Sequence, residues 1–569
     1  MILKSLYDYA QSNCDLLPPP GMEWKEIEFV IVIDSEGNFK RFESKRIDKK
    51  RCESFLVAKT VKRTSAPKSN ILWDNGKYVF GKNDKNGKCY NLFVNIVKDI
   101  AERHKEDPSI QALLAFYSKP IEEREGKMAT DPYFPEVMEK LSSNFSFRYE
   151  PDDILISEKK YLFDYLINES DNDQITGRCL ISGKYGSLVR TTTPTPLPDN
   201  SPMAALVAFQ VKSGYDSYGK TQAYNSPIST EVEETVSGVI KNFLGKESKH
   251  KIRLGNRMFL FWGAGNHEIS EEVENNILSL FEIPDKNDSK INEKIDKVSK
   301  LFKSIFSGEI KTTLDDRFFI LGLAPNTGRI AVVLWLDSKL RDFAQKIVDH
   351  FDSMELVDIR KPEKQRPYVG VYSMVSAVTQ GGKISDALPN LIESTMKAVL
   401  YGTPYPYPLF TGAIQRIRAE LSDIGPNIQR VAILKAYLNR QNKNLHNNKQ
   451  LDIMLDKNNT NPGYLCGRLT AVLEKIQSDV NTGDSIRTRY MGAASATPAT
   501  VIPAMLNLSL HHSEKLSDGS RIFYEQLKQE IIDKISQNGF PSHLDLNDQG
   551  RFFVGYYHQR ADLYSKKEK

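Results

Sequence analysis

FFILGLAPNTGRIAVVLWL, residues 318–336, decides the fold class. Phe318 to Leu323 is an apolar run, PNTG is a turn, and Arg329 to Leu336 returns as a second apolar run. Two such runs joined by a short Gly-containing turn read as an antiparallel hairpin, and helical spacing takes over from Leu340. Upstream, strand signals continue. Phe29 to Asp34 is turned back by SEGN into Phe39 to Phe42, Leu206 to Lys212 is strand-like, and Leu254 to Gly263 reads as one apolar strand. Helices fall between them: Met1 to Ser12, Asn91 to His104, and 287–306 with Ile291, Ile295, Val298, Leu301, Phe302 and Ile305 as its stripe. Beyond Tyr368 the chain reads almost wholly as helix. Ile428 to Leu438 has an apolar face, and Asn439 to Lys457 is rich in Asn and Lys, as befits a linker. Asn461 caps a helix with Pro462 at its first position and Leu465, Leu469, Val472, Leu473, Ile476 and Val480 on one side. A further stripe carries Phe523, Leu527, Ile531 and Ile535. The expectation is an α+β body of mixed sheets with helices over 1–370, a helical connection and linker over 371–460, and an all-α bundle over 461–569.

A chain of 569 residues exceeds one hydrophobic core, so more than one domain is expected. The net charge is only +4, so any nucleic-acid surface is local. Cys14, Cys52, Cys89, Cys179 and Cys466 are scattered with no CxxC pair, which argues against zinc and disulfides and fits a reducing cytosol. MILKSLYDYAQS is too short an apolar run for a signal peptide, and no stretch approaches a membrane span. A cytoplasmic protein is expected. HExxH, GxSxG and metal-spaced His/Cys clusters are missing, and His511-His512 and Asp315-Asp316 stand alone, which suits surface roles. No catalytic residue, metal or cofactor is expected, and binding is the better class.

The binding chemistry concentrates in AKTVKRTSAPKSNILWDNGKYVFGKND, Ala58 to Asp84. Lys59, Lys62, Arg63, Asn70, Asn75 and Lys77 combine phosphate-attracting cations with amides that reach base edges, and no acid interrupts them before Asp74. The plainer reading is a solvated loop with Trp73 and Tyr78 in the core. A second stretch, GYDSYGKT, meets the phosphate-loop pattern with Gly214, Gly219, Lys220 and Thr221. That mechanism needs a helix opening at the Lys-Thr pair, and Pro227 disfavours one. A nucleotide hydrolase using Lys220 therefore stands as an alternative only. Ser217, Lys220, Gln222 and Asn225 instead offer mixed donors in a Gly-flanked loop suited to nucleic acid.

The wording of these stretches carries a family resemblance. PPPGMEWKEIEFVIVID, VKRTSAPKSNILWDN, SYGKTQAYNSPIS, FFILGLAPNTGRIAVVLW, NPGYLCGRLTAVLEKIQ, YMGAASATPAT and DQGRFFVGYYHQR together resemble the large subunit of the type I-C CRISPR surveillance complex (Cascade), the Dvulg-subtype CRISPR-associated family. The resemblance implies a non-catalytic subunit at the 5′ end of the CRISPR guide RNA, beside the backbone subunits. Such a subunit reads the protospacer-adjacent motif (PAM) in duplex DNA, promotes unwinding and R-loop formation, and recruits a separate helicase-nuclease for antiviral defence. Target sequence is then read by base pairing. The C-terminal part resembles the small subunit, and a basic groove for the displaced single strand would use Arg468, Arg487, Arg489 and Arg551, with Lys475 and Tyr490 nearby. In this family the small subunit can arise by internal translation, and Met454 is suitably placed before the capped helix. One departure is that SYGKTQAYN lacks the acid that often follows the lysine. A general RNA-binding scaffold, indifferent to duplex DNA, is the remaining alternative.

Overall fold

The computed structural model describes residues 2–13, 17–19, 21–48, 51–61, 63, 67–162, 175–199, 204–211, 214, 218–245, 248–265, 267–281, 291–358, 370–422, 425–444, 450–480, 486–535, 537 and 539–565. The chain divides into two compact units, 3–193 with 207–240, and 194–206 with 241–569.

The first unit contains α1 (Ile2–Ser12), β1 (Met22–Glu26), β2 (Phe29–Ile33), β3 (Phe39–Ser44), β4 (Ser54–Ala58), β5 (Trp73–Asn75), α2 (Gly76–Val79), α3 (Lys88–Arg103), α4 (Pro108–Ser118), α5 (Ile121–Met128), α6 (Phe134–Glu139), β6 (Asn144–Tyr149), β7 (Thr176–Arg178), β8 (Tyr185–Ser187) and most of α7 (Thr230–Leu244). Its main sheet runs β3-β2-β6-β5. The SEGN turn makes the expected hairpin, with Ile31 opposite Phe42, while β2 lies parallel to β6 with Ile31 beside Phe147. Every residue of FVIVI is buried because both faces of β2 are covered. Phe29, Ile31 and Ile33 face Phe93, Val97 and Phe116 of α3 and α4, whereas Val30 packs with Val57, Trp73 and Leu155. The turn needs its glycine. Gly37 holds φ +69°, and a Cβ there would stand 2.4 Å from the Phe116 nitrogen.

The second unit opens with β9 (Lys251–Leu254) and β10 (Arg257–Ala264), then α8 (His267–Phe281), α9 (Ile291–Ser307), β11 (Arg317–Pro325), β12 (Ile330–Lys339) and α10 (Leu340–Met354). The sheet order is β12-β11-β10-β9, all antiparallel, and the hairpin of residues 318–336 forms as its sequence predicts, with α10 starting at Leu340. Val298, Leu301, Phe302 and Ile305 of α9 are buried against Phe318, Ile320 and Phe343. The single strand expected over Leu254 to Gly263 is two strands. Leu254 pairs with Arg257 across Gly255-Asn256, and Gly255 takes φ +58°. The Gly-Asn dipeptide is a two-residue hairpin signal inside an apolar run. The strand expected from Leu206 also fails to form. Residues 206–211 make no ladder, and the nearby pairing is a lone bridge between Ala205 and Pro194. A proline has no N–H with which to extend one.

Helices complete the unit: α11 (Val371–Val378), α12 (Pro389–Tyr401), α13 (Tyr407–Ala419), α14 (Ile428–Asn444), α15 (Pro462–Val480), α16 (Ile486–Ala494), α17 (Pro498–Ser513), α18 (Asp518–Ile532) and α19 (Leu546–Tyr564). The expected cap of α15 is present, with Asn461 Oδ1 accepting the Tyr464 N–H at 3.0 Å. One apolar core joins Met374, Ala398, Phe410 and Val431 to Leu465, Leu469, Val472, Phe553 and Tyr557. Helices on both sides of residue 460 therefore share it. The Asn/Lys-rich stretch continues α14 to Asn444, and residue 451 is tied back to it by Asn439, whose side chain bonds both the N–H and the carbonyl of Leu451 at 2.8 Å. Among the described residues no helix is long and apolar enough to cross a membrane.

Candidate nucleic-acid interface

The loop between β4 and β5 is organised by its first acid. Asp74 is buried, and its carboxylate accepts the backbone N–H of Asn70 at 2.9 Å and of Asn75 at 2.8 Å. The Arg63 guanidinium binds the same carboxylate, donates to the Lys68 carbonyl at 2.7 Å, and lies 4.2 Å from the Tyr78 ring centroid. Burial pushes the Asp74 carboxyl up, against these N–H donors and Arg63, which pull it down. Burial likewise pushes Tyr78 up to about 12, with a hydrogen bond to Cys89 adding to it. Asn70 is buried too, and its Oδ1 accepts the Val61 N–H at 3.0 Å. Trp73 donates to the Ala58 carbonyl at 2.7 Å, and Ser146 donates to the Leu72 carbonyl at 3.1 Å. Between these anchors Leu72 is held at φ +59°. A left-handed non-glycine costs about 1–2 kcal/mol, and it persists where its surroundings over-determine it.

This frame sorts the candidates. Asn70 is a brace within the loop, and Asn75 caps α2 by accepting the Lys77 N–H at 3.1 Å, so the side-chain oxygen of each is engaged in the fold. Lys59 is paired with Glu234 at 2.8 Å. Lys77 and Lys68 are exposed, and Arg63 sits between the buried acid and the surface. Lys62 lies outside the described residues. Trp73 and Tyr78 are core residues, as the plainer reading had them.

The second loop follows a different plan. Ser217 lies outside the described residues, Lys220 is exposed and Tyr218 is fully exposed. Residues Gln222–Asn225 form one 3-10 turn, and α7 starts only at Thr230, so Lys220-Thr221 opens no α-helix. Gln222 accepts from Arg190 Nε at 2.7 Å, and Asn225 donates to the Gln222 carbonyl at 3.0 Å and the Lys220 carbonyl at 3.4 Å. Arg190 carries no motif in the sequence. Its only signal is the acid-free composition of residues 175–198 around it.

The C-terminal set does not converge. Arg468 is fully buried, with Nε donating to Gln559 at 2.9 Å and Nη2 to Glu530 at 3.3 Å. Arg487 faces Glu474 at 3.9 Å, Arg551 donates to Asp548 at 2.8 Å, and Lys475 pairs with Asp479. Arg489 is exposed. The helical stripe told core from surface only on average, and Arg468 lies on its apolar side. Asp316 is likewise buried, not a surface acid, and accepts the Thr313 N–H at 2.6 Å. Among the described residues no group of three or more His, Cys, Asp or Glu is placed to hold a metal ion.

The profile of the CRISPR-associated protein (Cas_Csd1) family matches residues 3–564, and the chain belongs to that family. It is thereby a CRISPR-associated Cascade subunit, in the family of the type I-C large subunit, as its motifs suggested. A search of curated proteins finds no match.

Proposed function

We propose that this chain acts by binding and not by chemistry: it reads the PAM in duplex DNA, promotes opening of the duplex for the guide RNA, and recruits the helicase-nuclease. The observation that carries the reading is the loop around Asp74. A short segment with a buried ionic centre, a strained Leu72 and the side-chain oxygens of Asn70 and Asn75 tied to backbone N–H groups holds the backbone that carries Lys68 and Lys77 on its exposed side. Fixed cations position a duplex, and a rigid edge among them supports discrimination of its bases. Membership of that family supports a place in the complex at the 5′ end of the guide, beside the backbone subunits and the small subunit.

The test is selection from a duplex library with randomised bases beside the protospacer, using the assembled complex. Sequencing the bound fraction should return an enriched flank. Lys68→Ala and Lys77→Ala should weaken binding to all sequences and lower the salt slope by about 1 each. A library recovered without enrichment would overturn PAM reading.

A further inference from the structure

The hairpin of β7 and β8 shows one bare face. Arg178 stands directly opposite Tyr185, and Thr176 opposite Ser187, so these four share a side of the ribbon. Tyr185 is 74% exposed, and Thr176 and Arg178 are exposed as well. A hydrogen bond of 3.3 Å between Thr176 Oγ1 and Tyr185 Oη fixes the ring over the strand pair. The opposite side is the glycine pair Gly177 and Gly186. A Cβ on Gly177 would meet the Leu188 side chain at 2.7 Å, while one on Gly186 would meet nothing within 4 Å, so Leu188 covers the Gly177 half of that side and Tyr185 stands exposed on the other.

The hairpin is rigid. Cys179 N–H donates to the Lys184 carbonyl at 2.9 Å, and Gly183 N–H to the Cys179 carbonyl at 3.0 Å. Leu180 N–H donates to Pro227 at 2.9 Å, and Val189 N–H to Ile228 at 3.0 Å. The outgoing strand leads to Arg190, which clips the Tyr218–Asn225 loop in place. Residues 175–198 contain Arg178, Lys184 and Arg190 and no acid, and residues 218–229 contain Lys220 and no acid. An exposed ring beside a guanidinium, on a rigid acid-free ribbon, has the chemistry of a stacking platform with phosphate partners.

We propose that this face docks single-stranded DNA, with Tyr185 stacking on an unpaired base and Arg178 and Lys184 holding the flanking phosphates. The proposal rests on the reading that this chain opens a DNA duplex, since opening creates the unpaired strand that such a platform retains. Aromatic stacking accepts any base, so the site is sequence-tolerant.

The test uses the full chain without guide, titrated against fluorescein-labelled (dT)20, (rU)20 and a blunt duplex and read by anisotropy. Tyr185→Ala should weaken (dT)20 binding five-fold or more, while Tyr185→Phe should stay within two-fold. Arg178→Gln and Lys184→Gln should each lower the salt slope by about 0.7. Photocrosslinking with bromodeoxyuridine should label the peptide that contains Tyr185, which a variant that merely misfolds cannot mimic. Failure of (dT)20 to bind, equal binding by Tyr185→Ala, or tighter binding of (rU)20 or duplex would each overturn the proposal. PAM enrichment is read on the assembled complex with duplex DNA. Its loss with Tyr185-dependent (dT)20 binding intact would strike PAM reading alone.

Discussion

Gly467 of α15 lies against the backbone of Phe552 of α19, so close that a Cβ on Gly467 would stand 1.9 Å from the Phe552 carbonyl oxygen. The approach is reciprocal. A Cβ on Gly555 would be 2.2 Å from the Tyr464 oxygen, and one on Gly463 would be 2.3 Å from the Asp548 oxygen. Three glycines let two long helices touch backbone to backbone at the centre of the helical core. The stretches NPGYLCGRL and QGRFFVGYY are therefore packing motifs first.

Gly467→Ala should destabilise the second unit by about 3 kcal/mol or more, because a backbone oxygen cannot yield without moving α19. Gly519→Ala, near the start of α18 with nothing within 4 Å of a new Cβ, should be neutral or raise stability by up to about 1 kcal/mol. Thermal unfolding of the two variants side by side checks the contrast.

Arg468→Ala should cost about 2–4 kcal/mol, since it empties a fully buried site and strips Gln559 of its donor. Arg489→Ala, at an exposed position of α16, should cost under about 1 kcal/mol. A loss of nucleic-acid binding in the first variant should therefore track its melting temperature. Binding lost at a temperature where circular dichroism shows the wild-type fold would contradict the interior role.

Glu274 gives the second unit a pH dependence. Its carboxyl accepts the Gly263 N–H at 2.6 Å and lies 3.8 Å from His250, and burial pushes it up to about 7. Burial also pushes His250 down, so that ring offers no countercharge at neutral pH. The unfolded chain loses the Glu274 proton near its ordinary value of 4.5, while the folded chain keeps it to about 7. Stability should therefore fall as pH rises from about 4.5 to 7 and level off above, by roughly 3 kcal/mol from this group. Glu274→Gln should flatten that limb and melt above the wild type at pH 8. Parallel melting curves for the two proteins from pH 5 to 8 would count against this account.

Met454 is well exposed, at 62%, between Leu451 and the capped start of α15. A chain beginning there keeps α15 to α19 and loses α13 and α14, whose Phe410 and Leu438 lie against Gly550 of α19. The fragment 454–569 should bind a hydrophobic dye and elute above its monomer mass. Monomeric elution without dye binding would show that the bundle closes without those helices. Met454→Leu in the intact gene, with the products weighed by mass spectrometry, separately reports whether translation starts there. A small product that persists unchanged rules Met454 out.

Local chemistry was legible in the sequence by itself. Period-two and period-3.6 patterns placed the 318–336 hairpin, the helices after it and the Asn461 cap, because these depend on near neighbours in the chain. Motif wording determined the family. Tertiary structure alone decided what each polar side chain is used for. Asn70, Asn75 and Arg468 have the composition of a nucleic-acid surface. Yet Asn70 answers a backbone N–H brought from Val61, Asn75 caps α2, and Arg468 answers side chains brought from α18 and α19. A buried donor or acceptor must find a partner, and in a folded chain that partner is often far away in sequence. The same reason hid Tyr185. Its exposure, opposite Arg178 on one side of a six-residue ladder, is set by how the folded hairpin packs, a relation that no periodicity in the chain records.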